Sequence, residues 1–254
     1  MTDNDIANQL PVRTGVFRNS SLFVSHKTHH GRRGTPCVVT EEENAVRIEY
    51  TYYLVSSEEK PCTLTYRVYD DGTIDTELVL PPSTDLGVLP ELSVLFTLPA
   101  EWDQLVWYGK GPQETYPDRP TGEFGIWKGN IAEQLARYLR PQESGWHMDA
   151  RWAEVTDAEG HGIRFVIPST GTGDGKASAE ADPVRPGFSA LPFSPQQLEL
   201  AAHPNELPDV YHTYVRVGLQ MGVGGDDTWG ALVHPEYHLD NSKEIRVRFA
   251  FRGI

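Results

Sequence analysis

Carboxylates, an aromatic ring and glycines occur together in one short stretch of the chain. Residues 221–229 read Met-Gly-Val-Gly-Gly-Asp-Asp-Thr-Trp, and Gly230 follows. Glycine permits positive φ angles and close approach of the backbone to another surface, and aspartate favours a turn held by side-chain hydrogen bonds. Two hypotheses follow from this composition. Either Trp229 fills the core, as tryptophan commonly does, or the loop holds the indole outside the core, where its face can stack on a sugar.

The adjacent carboxylates of Asp226 and Asp227 are the first candidates for acid–base chemistry. Hydrolysis of a glycosidic bond uses two carboxyl groups roughly 5–10 Å apart. Neighbouring residues on a turn point in different directions, however, and aspartates there commonly accept hydrogen bonds from backbone N–H groups. The chain has 36 acidic residues, so a pair can always be chosen and the count decides nothing. Because no nucleophile elbow or phosphate-binding loop is present either, we predict no catalytic residue in this chain.

The composition limits the classes of partner. A net charge of −14 over 254 residues argues against nucleic acid and anionic membrane surfaces, which attract clustered Lys and Arg. Cys37 and Cys62 are interpreted as buried thiols, and the histidine-rich residues 26–33 as a solvated loop, with no metal site expected. No apolar run reaches the length of a membrane span, and the acidic start differs from a signal peptide. We therefore expect a soluble, cytoplasmic protein.

The elements that must position the glycine-rich loop are β-strands. Alternating runs rich in β-branched and aromatic residues predict strands, and the Asp-Gly turn at residues 71–72 is a strong hairpin signal. The predicted strands are residues 45–55, 62–69, 73–80, 91–98, 104–108, 150–157, 163–167, 211–219 and 244–251. Short helices are predicted at residues 131–139 and 196–202, an irregular ordered loop from Gly109 to Arg119, and a mobile loop at residues 169–182. With no βαβ unit, residues 1–254 are predicted to form a single β-sandwich-like domain.

Four motifs carry a resemblance to a known family. Residues 107–119, Trp-Tyr-Gly-Lys-Gly-Pro-Gln-Glu-Thr-Tyr-Pro-Asp-Arg, resemble the C-terminal domain of large bacterial β-galactosidases of glycoside hydrolase family 2. That domain is equivalent to the small subunit of the two-chain enzymes from lactic-acid bacteria. The resemblance continues in Pro-Gln-Glu-Ser-Gly at residues 141–145, Phe-Ser-Pro-Gln-Gln-Leu at 193–198 and Gly-Val-Gly-Gly-Asp-Asp-Thr-Trp at 222–229. The motifs occur in the family's order over more than half of the chain, which makes a chance match improbable.

The resemblance implies a fold and a role. The family's domain is a large antiparallel two-sheet supersandwich, similar to galactose mutarotase, and its acid and nucleophile glutamates lie in a TIM-barrel domain elsewhere. The chain would then be a noncatalytic component of a retaining β-galactosidase that acts on β-D-galactosides such as lactose, and it would be inactive alone. Mg and Na would belong to the catalytic barrel, and no cofactor is expected here. Its partners would be that barrel, in the same or another chain, and the galactoside.

The resemblance also assigns residues. Trp229 matches the family tryptophan that reaches the mouth of the active site and stacks on the substrate. Asp3, Asn4 and Asp5 match the start of a mobile loop that borders the same site, so they are expected to bind substrate. Separately from the resemblance, the turn chemistry of glycine and aspartate and the five donors of the Arg119 guanidinium predict a structural loop role for five residues: Gly224, Gly225, Asp226, Asp227 and Arg119.

The chain departs from the family at its start, and two alternative functions stay open. The family's domain normally begins many residues earlier, so we expect an N-terminally truncated domain whose exposed sheet edges favour self-association. The chain could instead be a free-standing carbohydrate-binding domain. A mutarotase-like aldose epimerase is a third reading on fold alone, but no acid–base pair can be assigned to it by motif.

Overall fold

The computed structural model describes residues 37–54, 57–168, 186–226 and 231–254. Several sequence predictions fall outside these ranges: those for Asp3, Asn4, Asp5, Asp227 and Trp229, for residues 26–33, and for the loop at residues 169–182.

The described chain folds into two antiparallel β-sheets, with strands numbered here in chain order. The larger sheet contains, in spatial order, β1 (Val38–Glu41), β2 (Ala45–Leu54), β3 (Ser57–Tyr69), β4 (Ile74–Leu80), β13 (Ile245–Gly253), β10 (Gly162–Val166), β9 (Trp152–Thr156), β6 (Gln104–Gly111) and β7 (Glu123–Asn130). The smaller sheet contains β5 (Glu91–Pro99), β12 (His212–Gln220), β11 (Gly187–Leu191) and β8 (Trp146–His147). Neighbouring strands in both sheets run antiparallel. The predicted all-β fold with two antiparallel sheets is confirmed.

The hairpin between β3 and β4 forms where the sequence predicted it. Gly72 has a φ of 79°, and the backbone N–H of Tyr69 donates to the Thr73 carbonyl at 2.9 Å. In β4 the side chains of Thr76, Leu78 and Leu80 are buried while those between them are not. This period of two gives the sheet one apolar face, and that face must be covered.

The smaller sheet supplies the cover. Phe165 of β10 is fully buried, and its ring lies 5.1 Å from the ring of Phe96 on β5. Val215 and Val217 of β12 are also fully buried, in the same apolar cluster as Val247 of β13. The core therefore lies between the two sheets, and the loops that join them lie at their ends.

The predicted helix at residues 131–139 is wrong. Only a 3-10 helix at Ile131–Gln134 forms, capped by the Asn130 side chain, and Leu135 already has an extended conformation. Ile131 is buried, but Leu139 is 92% exposed, so the end of the run has no apolar surface to pack against. A helix of about two turns needs such support, and without it the segment ends after one turn.

The prediction that regular structure stops at Gly109 is also wrong. β6 continues through Gly111 and pairs with β7, which the sequence analysis did not identify. A Cβ atom at Gly109 would lie 2.8 Å from the Ala150 Cα, and one at Gly111 would lie 2.7 Å from the Trp127 ring. These glycines allow neighbouring segments to approach a strand closely, so they do not interrupt it.

Helical structure contributes little. Helix α1 (Pro195–Leu200) confirms the predicted short helix, and Ser194 caps it by accepting a hydrogen bond from the Gln197 backbone N–H. The described residues include no helix with the length and apolar character needed to cross a bilayer.

Candidate functional site

Three of the sequence motifs meet at one place. They are the segment after β6 (residues 112–119), the segment around β8 (residues 141–148) and the glycine segment after β12 (residues 221–226). Thr115 joins the first two: its N–H donates to the Trp146 carbonyl at 2.7 Å, and its hydroxyl accepts from the Met148 N–H at 2.9 Å. Motifs that are far apart in sequence thus form a single cluster.

The centre of the cluster is the guanidinium of Arg216 on β12, whose residue is only 3% exposed. Two of its nitrogens donate to the Glu143 carboxylate at 2.7 and 2.8 Å. The same group donates to Glu91 of β5 at 2.7 Å and to the Ser189 hydroxyl of β11 at 2.8 Å. The Trp146 ring lies 5.6 Å from the guanidinium carbon. Arg216 therefore connects two strands of the smaller sheet with the loop that holds Glu143.

These charges determine the ionisation of the cluster. Burial alone would raise the pKa of Glu143, but the charge and hydrogen bonds of Arg216 outweigh it and lower that pKa. Burial alone would lower the pKa of Arg216, and Glu143 with Glu91 raises it instead. Burial raises the pKa of Tyr116, and the Glu143 charge raises it further. The cluster thus holds an ionised Arg–Glu pair beside a neutral phenol, whose O–H donates to Glu143 at 3.3 Å.

Arg119 lies at the edge of this cluster. Its backbone N–H and carbonyl bond to the carbonyl and N–H of Tyr116 at 2.9 and 3.1 Å, which closes a tight turn. Its side chain is 51% exposed, 3.9 Å from the Glu114 carboxylate and with its guanidinium carbon 5.7 Å from the centre of the Tyr116 ring. Glu114 in turn accepts a hydrogen bond from the Gly145 N–H at 2.7 Å. The structural role expected for Arg119 stays a prediction.

The glycine segment leaves β12 in a defined path. The Met221 N–H donates to the Pro90 carbonyl at 2.9 Å, and the Gly222 N–H donates to the Tyr237 carbonyl at 3.0 Å. Val223 is 3% exposed and packs in an apolar cluster with Tyr116 and Trp146. Residues 221–223 are therefore held in place directly before the two glycines with positive φ.

Gly224 and Gly225 have φ angles of 66° and 88°, a region that strains other residues. Asp226 is exposed, and its carboxylate contacts Nε2 of His234. The Asp226 carboxylate raises the pKa of His234, first by accepting a hydrogen bond from the imidazole and then by its charge. This contact brings together Asp226, which precedes Trp229 in the sequence, and His234, which follows it.

The cluster positions loops and offers no acid–base pair for hydrolysis. Glu91 and Glu143 share one guanidinium, and the Glu143 side chain is only 5% exposed, which leaves no room for a sugar between them. Glu114 accepts from the Gly145 N–H, and Asp118 accepts from the Gly224 N–H. In the described part of the chain, the carboxylates of these loops are engaged in holding the loops together.

Sequence reasoning missed the Arg216 network. Two signals were available for it. An arginine stands between valines in residues 215–217, on a strand that reads as buried, and a buried charge requires partners. A glutamate follows Pro-Gln in both the 112–114 and 141–143 segments, so these motifs offered carboxylates.

Fold and cluster together define a class: an all-β, two-sheet antiparallel domain in which a buried ionic network holds a glycine-rich loop. The family profile described as "Beta galactosidase small chain" matches residues 1–252. The chain therefore belongs to the β-galactosidase small-chain family.

Individual relatives agree with this assignment. The β-galactosidase of Priestia megaterium is 39% identical over 256 residues, which cover 100% of this chain and 22% of that protein. The "Beta-galactosidase small subunit" of Latilactobacillus sakei is 26% identical, with 98% of this chain and 80% of that protein covered. Among solved structures, a galactose mutarotase-like protein from Lactobacillus casei aligns at 12% identity and a TM-score of 0.35, over 87% of this chain and 74% of that chain. The chain spans about a fifth of the length of the P. megaterium relative.

Replacing Arg216 by Met should destabilise the chain by about 3–5 kcal/mol, because Glu143 is left as an unpaired buried charge. Adding Glu143→Gln should recover part of this loss, since the unpaired charge is then removed. Denaturant unfolding of the two variants measures both effects. Arg246→Met is a matched control, because Arg246 forms an exposed pair with Glu77 and such pairs contribute about 0–1 kcal/mol. Equal losses for Arg216→Met and Arg246→Met would contradict a structural role of the buried network.

His147 of β8 provides a pH-dependent test of the same region. It is 1% exposed, its ring centre lies 4.4 Å from that of Trp107, and its Nε2 lies 3.0 Å from Gln134 Oε1. Burial lowers its pKa to about 4. As the pH falls from about 6.5 to about 4, the unfolded chain binds the proton first, so the free energy of unfolding should fall by up to about 3 kcal/mol.

The measurement compares this pH dependence in the wild type and in His147→Asn. The slope between the two pH values should flatten in the variant, whatever the variant's absolute stability. His212→Asn, at an exposed position on β12, should keep the wild-type slope. Identical slopes in the wild type and His147→Asn would show that His147 does not contribute to the pH dependence.

Proposed function

We propose that this chain is a noncatalytic component of a retaining β-galactosidase and that it completes an active-site mouth built by a catalytic TIM barrel. The observation that carries the proposal is the use of the carboxylates in the described cluster: Glu114, Glu143 and Asp118 of the motifs, and Glu91 of β5, bind protein groups. Such a cluster is suited to positioning a loop, and among its described residues no two carboxyl groups are free to act as the acid and nucleophile of a glycosidase. Those groups belong, in this proposal, to the part of the enzyme that this chain does not span.

The proposed contact with substrate is Trp229, with Asp3, Asn4 and Asp5 bordering the same mouth. Support for Trp229 comes from the residues on either side of it. Asp226 precedes Trp229 in the sequence and Leu232 follows it. Both are exposed, Leu232 at 52%, and each lies next to anchored backbone. An indole in such an interval can present its apolar face to the C–H face of a galactoside. The proposal is the same whether the barrel is fused to this chain or is a separate chain.

In the complete enzyme, Trp229→Ala should raise KM for a β-galactoside and lower kcat less, because stacking acts on ground and transition states alike. Aromatic stacking of this kind contributes ~1–3 kcal/mol, by analogy with base stacking. Steady-state kinetics measure the change in KM, and thermal melting measures stability, which should hardly change. Trp152→Ala is a matched control: Trp152 lies on β9 with the Arg164 guanidinium carbon 4.6 Å from its ring centre, so its loss should affect stability and leave KM unchanged. A large fall in melting temperature with unaltered KM for Trp229→Ala would assign that residue to the core.

The chain alone should not hydrolyse a nitrophenyl galactoside, because the described cluster offers no positioned acid and nucleophile. Turnover by a pure sample, abolished by replacing one of its own acidic residues, would refute the proposal. Isothermal titration of the chain alone with galactose and lactose gives an independent check. Absent or millimolar binding is expected for an incomplete site, whereas tight binding would favour a free-standing carbohydrate-binding domain.

A further inference from the structure

We propose that Asp118 is a positioning residue that fixes the glycine segment of residues 222–226, which leads in sequence to Trp229, against the sandwich. The structural part of this inference concerns described residues. Its consequence for substrate binding rests on the proposed function of Trp229.

The contact itself is direct. Asp118 lies in the turn that the backbone hydrogen bonds between Tyr116 and Arg119 close, at 2.9 and 3.1 Å. Its Oδ2 accepts a hydrogen bond from the Gly224 N–H at 2.7 Å. A backbone N–H bonded to a carboxylate is a charge-assisted bond, roughly twice as strong as a neutral one. Gly224 has positive φ, so its N–H is presented by a conformation that favours glycine.

Gly222 shows how closely the two segments approach. A Cβ atom at Gly222 would lie 2.6 Å from both Cγ and Oδ2 of Asp118. No side chain fits there unless the carboxylate or the backbone moves. Gly222 does not have positive φ, so its role is to admit the carboxylate and not to permit an unusual conformation. The carboxylate therefore lies against the segment at two points, Gly222 and Gly224.

The turn that presents Asp118 is itself fixed. Tyr116 is 1% exposed, and its hydroxyl donates to Glu143, which binds Arg216 of β12. β12 is the strand from which the glycine segment departs. The contacts thus run from β12 through Glu143, Tyr116 and Asp118 back to the segment that follows β12. Such a closed set of contacts fixes the segment relative to its own strand, because no member can shift alone.

The first test reads the contact without using activity. Hydrogen exchange of the Gly224 amide, measured in the complete enzyme, should accelerate by about tenfold or more in Asp118→Ala, because a charge-assisted bond that protects it is lost. Asp118→Asn keeps a side-chain oxygen that can accept from Gly224 and should exchange more slowly than the alanine variant. Asp71→Ala is the matched control, since Asp71 accepts from the Thr73 N–H at 2.8 Å in the β3–β4 hairpin. Unchanged Gly224 exchange in Asp118→Ala would overturn the proposal.

A second test uses the close approach at Gly222. Gly222→Ala alone should raise KM, because the new Cβ pushes against the Asp118 carboxylate. In the Asp118→Ala background the carboxylate is absent, so adding Gly222→Ala should raise KM no further. An undiminished effect of Gly222→Ala in that background would show that the crowding involves another group and would overturn the proposed contact.

A third test separates this inference from the proposed function. Asp118→Ala should raise KM with a smaller effect on kcat, and the double variant with Trp229→Ala should be no worse than Trp229→Ala alone, because both changes remove one contact with substrate. Asp71→Ala should leave KM unchanged. Additive effects of Asp118→Ala and Trp229→Ala would overturn the claim that Asp118 acts through Trp229. If Trp229→Ala leaves KM unchanged, the proposed platform fails, and the Gly224 exchange result alone decides whether Asp118 fixes the segment.

Discussion

The ion pair between Arg216 and Glu143 is the interaction on which the loop cluster depends. Removing a guanidinium and a carboxylate from water costs several kcal/mol for each ion, and only good geometry with further hydrogen bonds offsets this cost. Arg216 meets that requirement with the carboxylates of Glu143 and Glu91 and the Ser189 hydroxyl. These partners come from a loop and from two strands of the smaller sheet. Any arrangement that separates them leaves a buried charge unpaired, so the network selects one arrangement of the loops.

This requirement accounts for how the acidic residues of the motifs are used in the described cluster. Glu143 neutralises Arg216, Glu114 accepts from the Gly145 N–H, and Asp118 accepts from the Gly224 N–H. Each of these carboxylates satisfies a donor that would otherwise be left without a partner in the protein. A general acid needs a raised pKa, whereas Arg216 lowers the pKa of Glu143. The chemistry of the cluster is therefore that of a scaffold.

The sequence predicted those parts of the fold that local patterns determine. Alternation gave β4 and β5, the Asp-Gly turn gave the hairpin at Gly72, and the short helix predicted at residues 196–202 forms as α1. Local patterns failed to identify strands whose formation depends on neighbouring segments of the fold. β7 contains Gly125 and Gly129 and was not identified, because its partner β6 supplies the order. β11 is buried at all of its positions and so has no alternation to detect.

The sequence predicted only part of the candidate site, because the rest also depends on contacts between distant segments. Motif resemblance pointed to Gly224, Gly225, Asp226 and Arg119, and the structure brings the glycine segment beside the turn that contains Arg119. It gave no indication of Arg216, because the partners of that residue lie 27, 73 and 125 positions away in the chain. A contact over such a separation depends on sheet topology, which a single sequence does not encode locally.

The glycines of residues 222–225 show that a glycine-rich loop need not be a flexible one. Gly224 and Gly225 adopt positive φ, which permits the turn, and Gly222 lets the Asp118 carboxylate approach the backbone. Glycine increases the freedom of the unfolded chain, but in the folded chain Gly222 and Gly224 are held by specific contacts with Tyr237 and Asp118. A surface that binds a ligand gains affinity when it is ordered beforehand, because less entropy is lost on binding. Glycines that admit fixed contacts are therefore compatible with the proposed presentation of an aromatic ring, and contacts through Glu143, Tyr116 and the Asp118 turn link residues 222–226 to β12.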